Sequence, residues 1–484
     1  MTPPALRVQG SSPWAARLAP LVEAAQRCVQ RNIVPGRGPH EPERYLRAGG
    51  GYPDPWTRDA AINAWQAGAW LWPQISRTTL DMVLEPDGSR VVWDTQWWDQ
   101  IVWVIGGYEL AVTSGDTEWA AHTYRVGAAT LARLDERCFD QSSCLYRGPA
   151  VMADGITGYP PELHDPARAG DSFVLDHAAT HRIACLSTNA LYVWALRRLA
   201  DLAGWLGDDP APWRARADAL AQRVRERFTR SDGRLAYLAR VGDGSYLAPP
   251  PSPARDRNRP QYPPHQEGLG WALVVLADVV PADHARALVA AVEHAPHGLP
   301  AVWPPFDGFD DHRFGRHGAA LWPMIGGVWA QAVASTGDTA AFGTELDLLC
   351  ALFEGCGNEF FELYHPTTGV PDGGWQAGRR WRSEPDQTWS ATTLLGCVLH
   401  GLAGLRPDAV GLGFAPSLPA GADGLDLVGL PWRDTTLTIR LRGTGSTIER
   451  FVVDGERRDP DLPWVSAAHP PATVEIHCTE GSLR

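Results

Sequence analysis

Residues 97–136 read WWDQIVWVIGGYELAVTSGDTEWAAHTYRVGAATLARLDE. Apolar side chains recur at helical spacing over 97–114 and again over 117–136. Gly115 and Asp116 separate the two segments, as a helix stop followed by the start of the next helix. This stretch therefore predicts a helical hairpin, and the same Gly-Asp pair recurs at 207–208 and 337–338.

Helical periodicity continues from about residue 12 to 403, with intervening loops rich in Gly, Pro, Trp and Asp. Roughly a dozen helices in pairs is the number that an (α/α)6 toroid requires, with inner helices presenting their loop ends to one pocket. A helical solenoid would also contain paired helices, but the chain has no repeat of fixed period. The predicted helices are 14–31, 59–83, 97–114, 117–136, 187–206, 212–229, 266–280, 284–294, 317–336, 339–355 and 387–403.

The pattern changes after about residue 406, where apolar residues alternate in short runs such as Thr435-Thr-Leu-Thr-Ile-Arg-Leu441. Such alternation is typical of antiparallel strands. We therefore predict a mainly α protein with two domains, a helical barrel over 1–405 and a β-strand cap or sandwich over 406–484 without chemistry of its own.

Two long irregular segments, 137–186 and 295–316, interrupt the helices, and loops of this length are usually functional. A third stretch, 248–263, is rich in proline and charge. It fits a mobile flap and a passive surface loop equally well.

The chain has 484 residues and a formal net charge of −13, which argues against nucleic acid as a partner. It contains no run of about 18 apolar residues and no secretory leader pattern, so we expect no membrane contact and a cytoplasmic location. Asp176, His177 and His181 come nearest to a metal site, but Ala178 stands where the H-E-x-x-H motif requires Glu. We expect neither a metal nor a cofactor.

The 22 tryptophans cluster with acids and turn residues. Typical clusters are Tyr52-Pro-Asp-Pro-Trp56-Thr-Arg58-Asp59, Trp93-Asp94-Thr-Gln96-Trp97-Trp98-Asp99, His317-Gly-Ala-Ala-Leu-Trp322-Pro323 and Asp386-Gln-Thr-Trp389-Ser390. One tryptophan usually fills a core, but a core gains nothing from adjacent acids. Aromatic faces beside carboxylates and amides suit a sugar, whose C–H faces stack on the rings while its hydroxyls bind the polar groups.

Hydrolysis of a glycosidic bond needs two carboxyl groups, and local context selects candidates. Asp154 lies in an apolar, glycine-flanked loop without an adjacent cation, a setting expected to raise its pKa as a general acid requires. Glu362 lies between aromatics near Glu359. The structural alternatives are an Asp-Gly turn for Asp154 and a helix end for Glu362. Asp59 follows Arg58, and we expect this cation to keep the Asp59 carboxyl ionised. An ionised carboxyl suits the binding of sugar hydroxyls.

The order of these motifs resembles the six-hairpin glycosidases, most closely the trehalase and processing α-glucosidase group. The resemblance spans about residues 45–455. The motifs are Trp56-Thr-Arg58-Asp59, Asp94-Thr-Gln96, a loop Asp, Thr188-Asn189-Ala190-Leu191-Tyr192, Arg316-His317-Gly-Ala-Ala-Leu-Trp322-Pro323, Glu362-Leu-Tyr364 and Trp389-Ser390-Ala391.

The resemblance implies an (α/α)6 barrel and inverting hydrolysis, with Asp154 as general acid and Glu362 as general base. By position it also implies a substrate-binding set of Trp56, Arg58, Asp59, Gln96, Asp99, Asn189, His317, Trp322 and Trp389. The loop around Asp154 lacks the Glu-Ser-Gly and Trp of trehalases, which argues against trehalase itself and keeps Glu162 and Asp165 as reserve acids. Gly318 replaces the Asn that follows His in relatives.

We therefore expect an inverting, exo-acting, α-glucosidase-like glycoside hydrolase that acts on a carbohydrate substrate, a small glycoside or oligosaccharide. A polysaccharide lyase on the same toroid is the alternative enzyme. In such a lyase a Tyr/His or Asn/His pair takes the place of the two acids. A non-catalytic carbohydrate-binding protein is the alternative outside enzymes. Sugar, anomer and aglycone depend on the three-dimensional shape of the site.

Overall fold

A computed structural model describes residues 6–37, 42–168, 173–241, 265–306, 309–376 and 378–480. The proline-rich stretch 248–263 lies outside the described residues.

The region predicted to be helical is helical in the structure. Along the chain, helices that are largely buried alternate with helices that are half exposed. The helices are α1 (Pro13–Asn32), α2 (Thr57–Asn63), α3 (Ala69–Leu71), α4 (Pro73–Met82), α5 (Trp103–Ser114), α6 (Thr117–Cys138), α7 (Leu186–Leu206), α8 (Ala211–Phe228), α9 (Gly268–Leu276), α10 (Ala282–Ala291), α11 (Pro323–Ser335), α12 (Thr339–Glu354) and α13 (Thr388–Gly396). A π-helical turn, Ala64–Gly68, joins α2 to α3, and another, Cys397–Leu402, extends α13.

Six helices contact one another in a closed cycle, in the order α2, α5, α7, α9, α11 and α13, and α13 returns to α2. These helices are buried around most of their circumference: residues 103–113 of α5 are all buried, as are residues 268–275 of α9. A helix that is apolar all round belongs in an interior. The other long helices, such as α6 and α8, bury only one face and pack outside this cycle.

All three Gly-Asp pairs lie at helix ends, but only the pairs at 115–116 and 337–338 also start the next helix, since α8 begins at Ala211 without a cap from Asp208. Gly115 ends α5 with a φ of 73°, a left-handed conformation that glycine adopts without strain. The carboxylates of Asp116 and Asp338 then accept hydrogen bonds, both of 2.9 Å, from the backbone N–H groups of Trp119 and Ala341 at the starts of α6 and α12.

The single helix predicted over 59–83 is wrong, because the chain turns at Trp72 and Pro73. Trp72 leaves the helical region with φ −139° and ψ 59°, and Pro73 begins α4. Proline is disfavoured inside a helix but suits its first position. The segment is therefore a hairpin, with α2 and α3 inside the cycle and α4 packed against α2 and α5.

The C-terminal region forms sheets, as predicted, but Thr435–Gly443 and Thr473–Thr479 pair parallel rather than antiparallel. A six-stranded sheet has the order Arg7–Gly10, Leu425–Trp432, Thr435–Gly443, Thr473–Thr479, Thr447–Val453, Glu456–Arg458, and a three-stranded sheet the order Leu405–Pro407, Gly411–Phe414, Trp464–Ser466. Residues 7–10, which we predicted to belong to the helical domain, instead pair antiparallel with residues 425–428.

The long loops contain short elements. Two-stranded ladders pair Ile33–Pro35 with Arg44–Leu46, Phe139–Asp140 with Leu145–Tyr146, Ile183–Cys185 with Leu238–Arg240, Gln266–Glu267 with Val302–Trp303 and Trp375–Gln376 with Arg379–Arg380. The 3-10 turns are Trp97–Val102, Ile156–Gly158, Pro161–Leu163, Pro166–Arg168, Val174–Asp176 and Ala178–Arg182. Within the described ranges, no helix is both long and apolar enough to span a membrane.

Candidate active site

A cavity of about 170 Å³ brings most of the predicted site residues together. It lies at the N-terminal ends of the helices in the closed cycle, since α2, α11 and α13 begin at Thr57, Pro323 and Thr388, beside wall residues. The wall consists of Ala48, Tyr52, Trp56, Arg58, Asp59, Gln96, Met152, Asp154, Arg316, His317, Trp322, Glu362, Gln376, Trp381, Gln387 and Trp389.

Asp154 stands on the wall between three polar side chains from distant parts of the chain. Its Oδ1 lies 2.9 Å from Nε2 of His317, and its Oδ2 accepts a hydrogen bond of 2.5 Å from Nε2 of Gln96. Nη2 of Arg58 lies 3.6 Å from the same Oδ2. The side chain of Asp154 remains 23% exposed, so a ligand in the cavity can reach it.

The expectation of a raised pKa for Asp154 is wrong. Burial raises the pKa of this carboxyl, but His317 and then Arg58 outweigh burial and hold the pKa at about 2. The loop itself is apolar, as the sequence indicates. The fold, however, places the imidazole of His317 and the guanidinium of Arg58 beside the Asp154 carboxyl. Asp154 is therefore a carboxylate in the unliganded site.

Arg58 does not hold Asp59 ionised, which corrects a second expectation. Its guanidinium donates hydrogen bonds to Gln96 and, at 3.3 Å, to Oδ2 of Asp99. Burial raises the pKa of Asp59 to about 7; Arg58 opposes this rise and Glu362 adds to it. Asp59 thus presents a carboxyl to the cavity that can donate as well as accept a hydrogen bond.

Asp99 lies behind Arg58, outside the cavity wall. Its Oδ2 also accepts a hydrogen bond of 3.2 Å from the backbone N–H of Met152, two residues before Asp154. Burial raises the pKa of Asp99 to about 7 despite the adjacent Arg58. This predicted binding residue therefore supports Arg58 and the Asp154 loop in the structure.

Glu362 faces the same cavity from the chain segment after α12. Its Oε2 lies 2.7 Å from Nη2 of Arg316, and its Oε1 accepts a hydrogen bond of 2.9 Å from the hydroxyl of Tyr52. The backbone N–H of Glu362 donates to the carbonyl of Glu384, which fixes the strand-like segment behind it. Cation and hydroxyl together hold the carboxyl group of Glu362 in one orientation.

Aromatic rings build the rest of the wall. The rings of His317 and Trp322 stack at 5.3 Å, and Trp389 packs edge-on against Trp322 at 5.7 Å. Arg316 lies over Trp322 and over Trp381, at 5.3 and 5.7 Å from the ring centres. Trp56 is 42% exposed although it is apolar, as expected of a ring at the mouth of a binding site.

Asn189, another predicted binding residue, does not line the cavity. Its side chain is buried and makes three hydrogen bonds of 2.8–3.0 Å to backbone groups of Tyr146 and Cys185. These bonds fasten α7 to the loop that precedes it. In the structure, Asn189 has a supporting position.

Replacing Asn189 by alanine is expected to lower the free energy of unfolding by about 2–4 kcal/mol, because three buried backbone groups lose their partner. Urea unfolding measures this change. For the fraction that remains folded, KM should stay close to the wild-type value. A changed KM with unchanged stability would restore Asn189 to the binding set and contradict the supporting position.

Seven further wall residues were not predicted as site residues: the apolar Ala48 and Met152, and the polar or aromatic Tyr52, Arg316, Gln376, Trp381 and Gln387. Tyr52, Arg316 and Gln387 belong to the tryptophan clusters and motifs of the sequence, so extending each motif by its polar members would have found them. Gln376 and Trp381 come from a short hairpin, Trp375–Gln376 with Arg379–Arg380, whose position over the cavity depends on tertiary packing.

The reserve acids and the nominal metal cluster lie outside the wall. Glu162 is exposed, and Asp165 accepts a hydrogen bond from the backbone N–H of Ala167. Nδ1 of His177 accepts from the backbone N–H of Asp165, and Nε2 of His181 contacts the carbonyl of Leu175. In the part of the chain that the structure describes, no three His, Cys, Asp or Glu side chains group as metal ligands.

A larger cavity, of about 740 Å³, lies at the opposite, C-terminal ends of the same helices. It contains none of the predicted site residues. Arg406 on its wall donates hydrogen bonds of 2.9 Å to the carbonyls of His400 and Leu405, where the last helix of the cycle ends. Cations at helix C-termini offset the helix dipole, which accounts for Arg406 at this end of the cycle.

Comparison with known proteins agrees with this geometry. Residues 158–390, which include Arg316, His317 and Glu362, match the family model of the mannosylglycerate hydrolase MGH1-like glycoside hydrolase domain. The chain carries a glycoside hydrolase domain. Its substrate is therefore a carbohydrate, and the resemblance to the six-hairpin glycosidases is confirmed. No curated protein matches this hydrolase in sequence.

Solved structures share the fold of this hydrolase. The GH63 mannosylglycerate hydrolase from Thermus thermophilus, in complex with Tris and D-glycerate, is 18% identical with a TM-score of 0.55, over 78% of this chain and 100% of that one. A GH78 rhamnosidase of Bacillus sp. GL1 is 13% identical with a TM-score of 0.54, over 90% and 41% of the chains. A sialidase is 15% identical with a TM-score of 0.64, over 93% and 40%.

Proposed function

We propose that this hydrolase is an inverting, exo-acting, α-glucosidase-like enzyme that cleaves a small glycoside or oligosaccharide. Asp154 is the general acid and Glu362 the general base. The observation that carries the proposal is the common cavity: two carboxyl groups, distant in sequence, face one space with different partners. Two such carboxyls are what hydrolysis of a glycosidic bond requires.

The partners of the two acids suggest their roles. Glu362 is paired with Arg316 and accepts a hydrogen bond from Tyr52, so it is ready to take a proton from the attacking water. Oδ1 of Asp154 lies 2.9 Å from Nε2 of His317, and histidine is a residue type that serves in proton transfer. Asp154 therefore has a proton source beside it, as the group that protonates the leaving oxygen needs.

The wall suits a single sugar ring. Trp56 offers an exposed aromatic face, while Asp59, Gln96 and Arg58 offer hydrogen-bonding groups for hydroxyls. A cavity of about 170 Å³ is small compared with drug-sized sites of about 300–1,000 Å³. This size supports removal of one terminal residue from a small glycoside.

An (α/α)6 toroid is the architecture that we propose for the helical region. The closed cycle of six helix contacts supports it, as do the outer helices that pack against the cycle. Such a ring gathers the loops at one end around one space, which explains how residues 52–59, 96, 154, 316–322, 362 and 376–389 reach the same cavity.

A mannosylglycerate-like substrate is the second candidate, favoured by the family model over residues 158–390. A panel of aryl α- and β-glycosides, together with glucosyl- and mannosylglycerate, tests both candidates. We expect release of one terminal sugar, with the highest kcat/KM on an α-glucoside. Preference for mannosylglycerate would select the second candidate.

The same panel tests the remaining alternatives. Products with a C=C bond that absorb in the ultraviolet would identify a lyase. Sugar-dependent thermal stabilisation without any hydrolysis would identify a carbohydrate-binding protein. Either result would refute the proposed hydrolysis.

A further inference from the structure

The cavity of about 740 Å³ at the C-terminal helix ends has the size of a site for a small molecule. Sites of this kind usually measure about 300–1,000 Å³ and combine apolar walls with a few polar groups. The rings of Trp65, Tyr108 and Trp194 and the side chains of Ile105 and Val275 supply the apolar part. Within the described ranges, this cavity shares no wall residue with the candidate active site.

Arg198 of α7 holds its guanidinium on the wall of this cavity. The group lies over the ring of Tyr108, 4.5 Å from its centre, and 6.0 Å from the ring centre of Trp194. Its Nη1 donates a hydrogen bond of 2.9 Å to Oδ2 of Asp201. The side chain remains 30% exposed. Two rings and one carboxylate therefore fix the position of a cation that a ligand in the cavity can reach.

Arg406, a second cation on this wall, has main-chain partners only. Its Nη1 donates to two carbonyls, and in the part of the chain that the structure describes it forms no ion pair. The side chain is exposed, yet burial lowers the pKa of its guanidinium; Glu109 opposes this decrease and Arg198 adds to it. Exposure together with a lowered pKa is expected of a group inside a recess, where water reaches it but protein surrounds it.

The aspartates on the same wall already have donors. Asp201 accepts the hydrogen bond from Arg198, and Oδ2 of Asp278 lies 3.6 Å from Nη1 of Arg197. The carboxylate of Asp408 accepts hydrogen bonds of 2.8 and 2.6 Å from two backbone N–H groups of the turn that follows it. These three acids therefore leave little negative charge to attract a cationic ligand.

Glu109 is a buried acid near the two arginines. Its Oε1 accepts a hydrogen bond of 3.0 Å from Nε1 of Trp70. Burial raises the pKa of Glu109 to about 7, while this hydrogen bond and the charges of Arg198 and Arg406 oppose the rise. Around neutral pH the carboxyl therefore carries only part of a negative charge. Since Arg214 and Arg406 form no ion pair among the described residues, the wall favours an anion over a cation.

We propose that this cavity is a second ligand site, which binds a small molecule through an oxyanion group, a carboxylate or a phosphate, held by Arg198 and Arg406. Guanidinium groups suit such anions because their paired N–H groups match two oxygens. The aromatic rings of the wall contact the rest of the ligand. The inference is independent of the proposed hydrolysis, because its residues lie at the other end of the helical cycle.

Isothermal titration calorimetry with inorganic phosphate, gluconate and glucose 6-phosphate tests the site without any glycoside. We expect a Kd below about 1 mM for at least one of these anions. Gluconate as the best probe would indicate a carboxylate ligand, and glucose 6-phosphate a phosphate ester. Equal affinities for inorganic phosphate and glucose 6-phosphate would indicate the free ion. A Kd above about 1 mM for all three would overturn the inference.

Variants of Arg406 locate the binding. Arg406→Gln should weaken binding of the best probe about 10- to 100-fold, because charge-assisted hydrogen bonds are lost. Arg406→Lys keeps a cation at the helix ends, and with it the fold, but removes the paired N–H groups; it should weaken binding at least about three-fold. Unchanged affinity in either folded variant would overturn the inference. Melting curves show that each variant is folded.

Two further variants serve as controls. Arg225 also donates a hydrogen bond to a carbonyl, that of Val279 at 2.6 Å, but lies outside the wall, so Arg225→Gln should bind the probe as the wild type does. Arg316 lines the candidate active site, and Arg316→Gln should likewise leave the affinity unchanged. Loss of binding in Arg316→Gln with normal binding in Arg406→Gln would locate the anion in the candidate active site and contradict a second site.

Discussion

Replacing Glu362 by glutamine is expected to lower kcat about 10²–10⁴-fold, the usual contribution of a general base, while the protein remains folded. The amide keeps the shape of the side chain and an oxygen that can accept from Arg316 or Tyr52. It cannot accept a proton from water. Steady-state kinetics on the best substrate of the panel measures the loss, and circular dichroism confirms the fold.

Glu359→Gln is the matched control for this variant. Glu359 lies three residues earlier in the same segment but is exposed and outside the cavity wall. Its kcat should stay within about two-fold of the wild type, as for most surface changes. Equal activities of the two variants would remove Glu362 from the mechanism.

Replacing Asp154 by asparagine is expected to have a comparable effect, but one that depends on the leaving group. We expect a loss of about 10²–10⁴-fold in kcat on glycosides with a poor, alkoxide leaving group. The loss should be much smaller on glycosyl fluorides or dinitrophenyl glycosides, because these leaving groups depart with little protonation. A dependence on the leaving group separates the acid from the base, since Glu362→Gln should affect both kinds of substrate.

Asp165→Asn provides the control in the same irregular segment, since Asp165 was a reserve candidate and lies outside the cavity wall. This variant should retain wild-type kinetics on both kinds of substrate. The assignment of Asp154 would be contradicted if Asp165→Asn lost activity and Asp154→Asn did not.

The helices could be predicted because their signals are local. Apolar periodicity and Gly-Asp pairs are contained within each segment, so α6, α7 and α12 have nearly the predicted ends. The predicted start of the helix over 97–114 is wrong, because residues 97–102 form a 3-10 turn and α5 begins at Trp103. The break at Trp72 and Pro73 was missed because the periodicity continues across it. The pairing of Arg7–Gly10 with residues 425–428 could not be predicted, since it depends on contacts between distant parts of the chain.

The sequence could predict which residues line the candidate site, but not the pKa of Asp154 within it. Trp56, Gln96, His317 and Trp322 line the cavity that their motifs suggested. The state of Asp154 depends on three side chains that lie far away in sequence, and its own loop contains none of them. Local sequence therefore indicated the opposite direction for its pKa.

The sequence also could not distinguish supporting residues from residues that line the cavity. Asp99 and Asn189 belong to motifs that contain wall residues, yet their side chains turn toward Arg58 and toward backbone groups. Neighbouring positions on a helix face different directions, so a motif contains residues on both sides of the wall. Residue-by-residue transfer from a motif cannot separate the two sets.

Proton NMR of the first sugar formed by the wild-type enzyme tests the central claim most directly. If Asp154 and Glu362 act as acid and base on one glycosidic bond, the sugar released first has the opposite anomeric configuration to the substrate, and the other anomer appears only by slow mutarotation. Release of the anomer with the substrate's own configuration would mean a covalent intermediate, and would contradict the assignment of Asp154 as general acid and Glu362 as general base.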